Sequence, residues 1–321
     1  MNQSRALPLR TRVAVALFDG LTSRKRLRDL TLEQIQASRR VQPPHRPPFS
    51  WVFGAVPAGV RMRDDLAETR AGECRVRFYE SPVHRRPGPL VAFFHGGGWV
   101  RGSLGGYDAV CGEVAARTGA LVMSVDYRLA PEHPFPAAVE DAYDATCWAV
   151  SRAEVLGVDT ARVAVMGDSA GGNLAAVVAR VARDEGSVAL AAQVLVYPGT
   201  DATLASPSIT ENADAPILTR TAIVDFLDLY QPTGDRRDPR ISPLHAADLS
   251  GLPRAVIQTA QHDPLRDDGR RYADALREAG VPVRYTEYAD VPHGYLSFPG
   301  VTACGRQPLA EIAAELRETF A

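Results

Sequence analysis

A serine set between glycines, a histidine inside a Pro-His-Gly turn and three consecutive glycines are the features whose types and spacing could do chemistry. The serine lies in VAVMGDSAGGNLAAV, residues 163–177, where an apolar strand halts at Gly167, exposes Asp168 and Ser169, and leads through small residues into an apolar helix. Gly167-Asp168-Ser169-Ala170-Gly171 is a G-x-S-x-G turn between a strand and a helix, the context of a nucleophile elbow. A serine held in a strained backbone conformation on so sharp a turn leaves no room for side chains two residues either way, so both positions favour glycine. Its Oγ then projects from the sheet, and the N–H groups of the helix behind it point at any developing anion.

A serine is inert near neutral pH without a base, and the base needs a partner that fixes its tautomer. His45 falls in a proline linker, His84 in the charged turn SPVHRRPG, and His133 between prolines in APEHPFP; His245 and His262 flank strands without a turn glycine. His293, in DVPHGYLSF, directly follows the last expected strand and is the candidate base. Asp263 in TAQHDPLRDDG sits just past another strand, where its carboxylate could reach the imidazole; Asp267 and Asp268 fall where they would cap the next helix. The order Ser169, Asp263, His293 is the one that accompanies this turn on an α/β sheet.

Acyl transfer develops an oxyanion, which requires backbone donors from another loop. FFHGGGWVRGS supplies them: His95 and then Gly96, Gly97 and Gly98, where the chain can bend its N–H groups inward and keep Cβ atoms out of a substrate's path. Gly97 and Gly98, with the N–H of Ala170, are the expected donors, and Gly96 shapes the turn. Trp99 and Asp168 are assigned to substrate contact. Phe18, Leu21, Phe226 and Tyr230 are candidate pocket walls, although an aromatic in a helical stripe is more often core.

These loops need a sheet to carry them. Candidate strands are CRVRFYE (74–80), PLVAFFH (89–95), ALVMSVDYR (120–128), RVAVMGD (162–168), AQVLVYP (192–198), RAVIQTA (254–260) and VRYTEYA (283–289). Amphipathic helical stretches alternate with them, the rhythm of a mainly parallel α/β sheet. Residues 1–50 look separate: arginine-rich, with helical spacing in RTRVAVALFDGL and LTLEQIQASRRV, then the proline cluster PPHRPP. The catalytic domain is expected over 51–321. Within it, 199–242 breaks the rhythm with a loop and one helix, TRTAIVDFLDLYQ, as a segment elaborated over the functional edge does.

Composition narrows the partners. The chain has 321 residues and a net charge of −2, so it carries no basic field for nucleic acid. Lys25 is its only lysine, which excludes a P-loop and most lysine chemistry. Four scattered cysteines form no metal motif and suit a reducing, cytoplasmic setting; the apolar run VAVALF (13–18) is too short for a signal segment or a membrane span. The expected partner is a small molecule, with no cofactor and no metal. Oligomeric state is not legible, and a homodimer stays open.

With HGGGW, GDSAGGN, DPLRDDG and HGY in that order, and with DYRLAPEHPFPAA, YPGTD and ISPL, the chain resembles the hormone-sensitive-lipase-like (bacterial family IV) carboxylesterases of the α/β-hydrolase superfamily over about residues 75–300. The resemblance implies an α/β-hydrolase fold: an eight-stranded, mostly parallel sheet whose second strand is antiparallel, helices on both faces, and a helical cap formed by the N-terminal segment and the excursion after Gly199. The family's catalytic serine, acid and base map onto Ser169, Asp263 and His293. It implies hydrolysis of esters with short to medium acyl chains. The histidine loop reads HGY where HGF is commoner, and the acid motif ends DDG where DEG is usual. Relatives that serve as receptors alter the triad or the glycine loop, whereas both are intact here. Amidase, thioesterase or lactone hydrolysis, and a non-catalytic ligand-binding role, are the alternatives.

Overall fold

The computed structural model describes residues 7–12, 26–40 and 46–321. Its described strands are β1 (Arg61–Thr69), β2 (Gly72–Glu80), β3 (Gly88–Phe94), β4 (Leu121–Val125), β5 (Val158–Asp168), β6 (Ala192–Val196), β7 (Arg254–His262) and β8 (Val283–Pro292). They form one 8-stranded sheet in the order β1-β2-β4-β3-β5-β6-β7-β8. β2 runs antiparallel to both neighbours and every other pair is parallel.

Strands covered on both faces read as unbroken apolar runs. β4 and β6 are buried at every residue, and β3 at all but one. Successive side chains point to opposite faces, so Leu90, Ala92 and Phe94 join one core cluster while Val91 and Phe93 join the other. The longer helices are α1 (Leu32–Arg39), α2 (Asp108–Thr118), α3 (Ala137–Ser151), α4 (Ala170–Glu185), α5 (Arg220–Tyr230), α6 (Arg266–Glu278) and α7 (Gln307–Thr319). Trp148 of α3, Leu174 of α4 and Leu276 of α6 fill the first cluster; Val114 of α2 and Ile312 of α7 fill the second. Each large side chain so buried contributes roughly 1.5–3 kcal/mol.

This topology creates the crevice. β3 and β5 are neighbours although β4 separates them in sequence, so the chain leaves their C-terminal ends in opposite directions, where α/β sheets bind ligands. The segment after Gly199 leaves the sheet here as expected, and Thr219 Oγ starts α5 by accepting the N–H of Ala222 at 3.1 Å. At the N-terminal end, Thr31 and Gln34 close a reciprocal capping box on α1. The other helical stretch expected there, RTRVAVALFDGL, lies largely outside the described residues, as do Phe18 and Leu21. No described helix is long and apolar enough to cross a membrane.

Candidate active site

Four segments that carry chemistry each begin one residue past a strand end. His95 follows β3, Ser169 follows β5, Asp263 follows β7 and His293 follows β8. The rigid sheet therefore fixes where each loop starts, and the loops need only short reaches to converge.

Ser169 has φ 54° and ψ −119°, a conformation that costs a non-glycine residue roughly 1–3 kcal/mol. It is held there by its N–H on the Val196 carbonyl at 2.8 Å and by its own carbonyl, which accepts the Asn173 N–H at 3.0 Å. The flanking glycines are steric necessities. A Cβ on Gly167 would run into the Gly171 carbonyl, and one on Gly171 into the Phe94 carbonyl.

His293 Nε2 lies 2.9 Å from Ser169 Oγ, and His293 Nδ1 lies 2.7 Å from Asp263 Oδ2. The other Asp263 oxygen accepts the Leu265 N–H at 2.8 Å, so this fully buried carboxylate is anchored on both sides. With Nδ1–H donated to the carboxylate, Nε2 carries the lone pair and faces the serine hydroxyl. The register shift between β7 and β8 beyond Ala260 pairs His262 with Pro292, which sets Asp263 and His293 side by side.

Gly97 and Gly98 occupy left-handed φ values of 121° and 62°. Their turn closes through the Val100 and Arg101 N–H groups on the Gly97 carbonyl, at 3.2 and 2.9 Å. Ala170 opens α4, whose first-turn N–H groups have no earlier helical carbonyl to bond. Gly97, Gly98, Ala170, Ser169 and His293 all border one cavity of about 290 Å³. Leu204, Ile217, Leu218, Ile223 and Phe226 supply much of its apolar wall, and all five come from the excursion after Gly199.

Three acids near the site hold hydrogen bonds that the sequence did not show. Asp168 borders the cavity, but its carboxylate is engaged elsewhere: Oδ1 accepts the Gly96 N–H at 2.8 Å, and Oδ2 accepts the hydroxyls of Tyr107 and Tyr197 at 3.0 and 3.2 Å. It ties the serine turn to the glycine loop. Burial pushes its carboxyl up to about 6, and the hydrogen bonds from Tyr107 and Gly96 restrain the rise. Asp267 and Asp268 do not cap their own helix. Asp267 accepts the Ser208 N–H at 3.0 Å, and Asp268 accepts the N–H groups of Thr200 and Asp201, both at 3.1 Å, so the pair clasps the start of the excursion.

Trp99 and, of the proposed walls, Phe226 border the cavity, and a Cβ on Gly98 would strike the Phe226 ring. Tyr230 is core: fully buried, it stacks on Trp99 with centroids 4.4 Å apart. His95 braces the glycine loop, with Nδ1 2.9 Å from the Gly96 carbonyl. Sequence reasoning missed Tyr107 and Tyr197. Tyr197, one residue past β6, has φ 37° and lays its ring 4.7 Å from that of His293, a role no local pattern announces. Among the described residues no cluster of His, Cys, Asp or Glu could hold a metal ion.

Known proteins share this build. The chain is 48% identical over 249 residues to the carboxylesterase NlhH of Mycobacterium tuberculosis, covering 76% of this chain and 78% of that one. The esterase LipI of the same organism is 41% identical over 302 residues, 92% of this chain and 86% of its own. A solved hyperthermophilic esterase from Pyrobaculum calidifontis superposes with a TM-score of 0.78 at 44% identity, over 81% of this chain and 87% of that one. A family model described as alpha/beta hydrolase fold matches residues 91–297. The chain belongs to the alpha/beta-hydrolase-fold family, in the hormone-sensitive-lipase-like group that its motifs resemble.

Proposed function

We propose that this protein is a serine carboxylesterase that works through an acyl-enzyme on Ser169. The observation that carries this reading is the continuous relay from Asp263 through His293 to Ser169, with contacts of 2.7 and 2.9 Å. Ser169 Oγ attacks the ester carbonyl while His293 Nε2 takes its proton, and Asp263 holds the imidazole and steadies its charge. The N–H groups of Gly97, Gly98 and Ala170 receive the oxyanion, each lowering the barrier by about 3 kcal/mol. The imidazolium gives its proton to the leaving alcohol. Water then attacks the acyl carbonyl as His293 takes its proton, and the imidazolium returns that proton to Ser169 Oγ as the carboxylic acid leaves.

A cavity of about 290 Å³ lies at the small end of ligand sites, which run roughly 300–1,000 Å³. With the apolar wall of the excursion, this favours esters of short to medium acyl chains. The N-terminal segment and residues 199–242 act as the roof. The esterase names of the relatives point the same way. No observation favours an amide, thioester or lactone, or a purely binding role.

The test is p-nitrophenyl ester hydrolysis across an acyl-chain series, with Ser169→Ala alongside. Activity should peak at short to medium chains. The variant should lose kcat by about 10⁶-fold, as removal of a full triad member does, and should resist a fluorophosphonate that labels the wild type. Turnover by Ser169→Ala at the wild-type rate ends the proposal.

A further inference from the structure

Glycines let the loop at 96–98 bend, but they do not hold it bent. Trp99 in that loop has φ 59°, a left-handed value that persists only where the surroundings over-determine it. The grip comes from an unexpected direction. Arg39, at the end of α1, donates Nε–H to the Val100 carbonyl at 2.8 Å and Nη2–H to the Ala130 carbonyl at 2.7 Å. Ala130 in turn donates its N–H to the Trp99 carbonyl at 2.9 Å.

The guanidinium is itself fixed. Its Nη1 and Nη2 meet the two oxygens of Glu132 at 2.7 and 2.8 Å, a bidentate pair, and Gln36 donates to Glu132 Oε1 at 2.8 Å. Both side chains are largely shielded, at 16% and 20% exposure, and the hydrogen bonds from Arg39 hold the Glu132 carboxyl down at about 2. A planar fork that addresses two carbonyls and a carboxylate at once has no lysine equivalent.

We propose that Arg39 is a positioning residue for ester hydrolysis: from the N-terminal segment it pins the Val100 and Ala130 carbonyls and so aims the N–H groups of Gly97 and Gly98 at the oxyanion. The inference rests on the oxyanion role given to those glycines above. It makes the N-terminal segment part of the catalytic apparatus as well as its roof. Arg39 also borders an open cavity of about 600 Å³ that none of Ser169, Asp263 and His293 lines, so it touches no substrate in acting.

The experiment measures kcat and KM of Arg39→Ala and Arg39→Lys on p-nitrophenyl butyrate, with and without guanidinium ion at concentrations too low to denature. Misaimed donors weaken the transition state alone, so R39A should lose kcat by about ten- to a hundredfold with KM near wild type. R39K should stay impaired. Guanidinium entering through the open cavity should restore part of the R39A kcat. A wild-type kcat in R39A, full recovery in R39K, or no response to guanidinium overturns the proposal. Should R39A not fold, Glu132→Gln decides: it should lower kcat several-fold at constant KM, and an unchanged kcat overturns the assignment. Fluorophosphonate labelling of the wild type and an inert Ser169→Ala separate a failure here from a failure of the esterase reading.

Discussion

Asp168 stands one residue before Ser169 with its carboxylate turned to three donors, Gly96 N–H and the hydroxyls of Tyr107 and Tyr197. One small side chain thus joins the serine turn, the glycine loop and, through the Tyr197 ring, the ring of His293. At 2% exposure it can be replaced only by something that answers all three donors. Asp168→Ala strands buried donors at roughly 1–3 kcal/mol apiece, and it lets Gly96 drift. It should lower the urea midpoint and cut kcat by about a hundredfold. Asp168→Asn keeps an acceptor for Gly96, and the tyrosine hydroxyls can turn to accept from its amide. It should retain most of both properties, and equal damage from the two variants would show that hydrogen bonding is not what Asp168 supplies. Adjacency to Ser169 suggested substrate contact for this residue. The sequence hides its hydrogen bonds because Tyr107 and Tyr197 stand 61 and 29 positions away.

The N-terminal segment and the excursion are fastened by charges that contiguous pattern does not reveal. Arg26 reaches the buried Asp225 of α5 at 3.2 Å through Nε, linking the N-terminal segment to the excursion. The excursion's root is clasped by Asp268, which also accepts the Ser206 hydroxyl, and by Asp201, bound to His245 at 3.0 Å and Arg271 at 2.9 Å. Burial, with the Asp201 charge nearby, pushes the Asp268 carboxyl up from 3.8 to about 7 despite the Ser206 bond. A folded value above the unfolded one means the folded state holds the proton more tightly. The stability Asp268 contributes is therefore fully present below the ordinary carboxyl value and is lost as pH rises through about 7. Asp268→Asn does not titrate and keeps acceptor and donor. Its Tm relative to wild type should climb between about pH 4 and 7 and then level; a difference independent of pH would refute the assignment. The sheet was far more legible than this clasp. The strand–helix rhythm announced the seven strands from β2 to β8, whereas β1 is an edge strand with a single buried residue among nine, so it carried no alternation to read.

Across the whole molecule, order should fall from the sheet outward. The central strands bury both faces in two cores; Ser169 hangs from the end of β5 and Asp263 from the end of β7, so their placement inherits the stiffness of the most buried part of the chain, while His293 follows the edge strand β8. The excursion meets the cavity with one face of α5, where Ile223 and Phe226 line the wall while Arg220 and Asp228 stay exposed. A segment with one buried side opens at lower free energy than strands covered on two. Its existence was legible as a break in the strand–helix rhythm; what it encloses was not, because the wall is assembled from residues scattered between Leu204 and Ile241. Filling the cavity should steady the excursion and leave the sheet unchanged. Hydrogen exchange before and after labelling Ser169 with an alkyl fluorophosphonate tests this directly. Amides of Arg220–Tyr230 should exchange quickly in the free protein and slow at least about tenfold once the alkyl chain fills the pocket, which corresponds to 1.4 kcal/mol or more of local stabilisation. Those of β5 and β6 should be slow in both states. Protection that spread evenly over the sheet, or that bypassed α5, would mean that the excursion does not close on the ligand and that the wall of the cavity belongs to the rigid core.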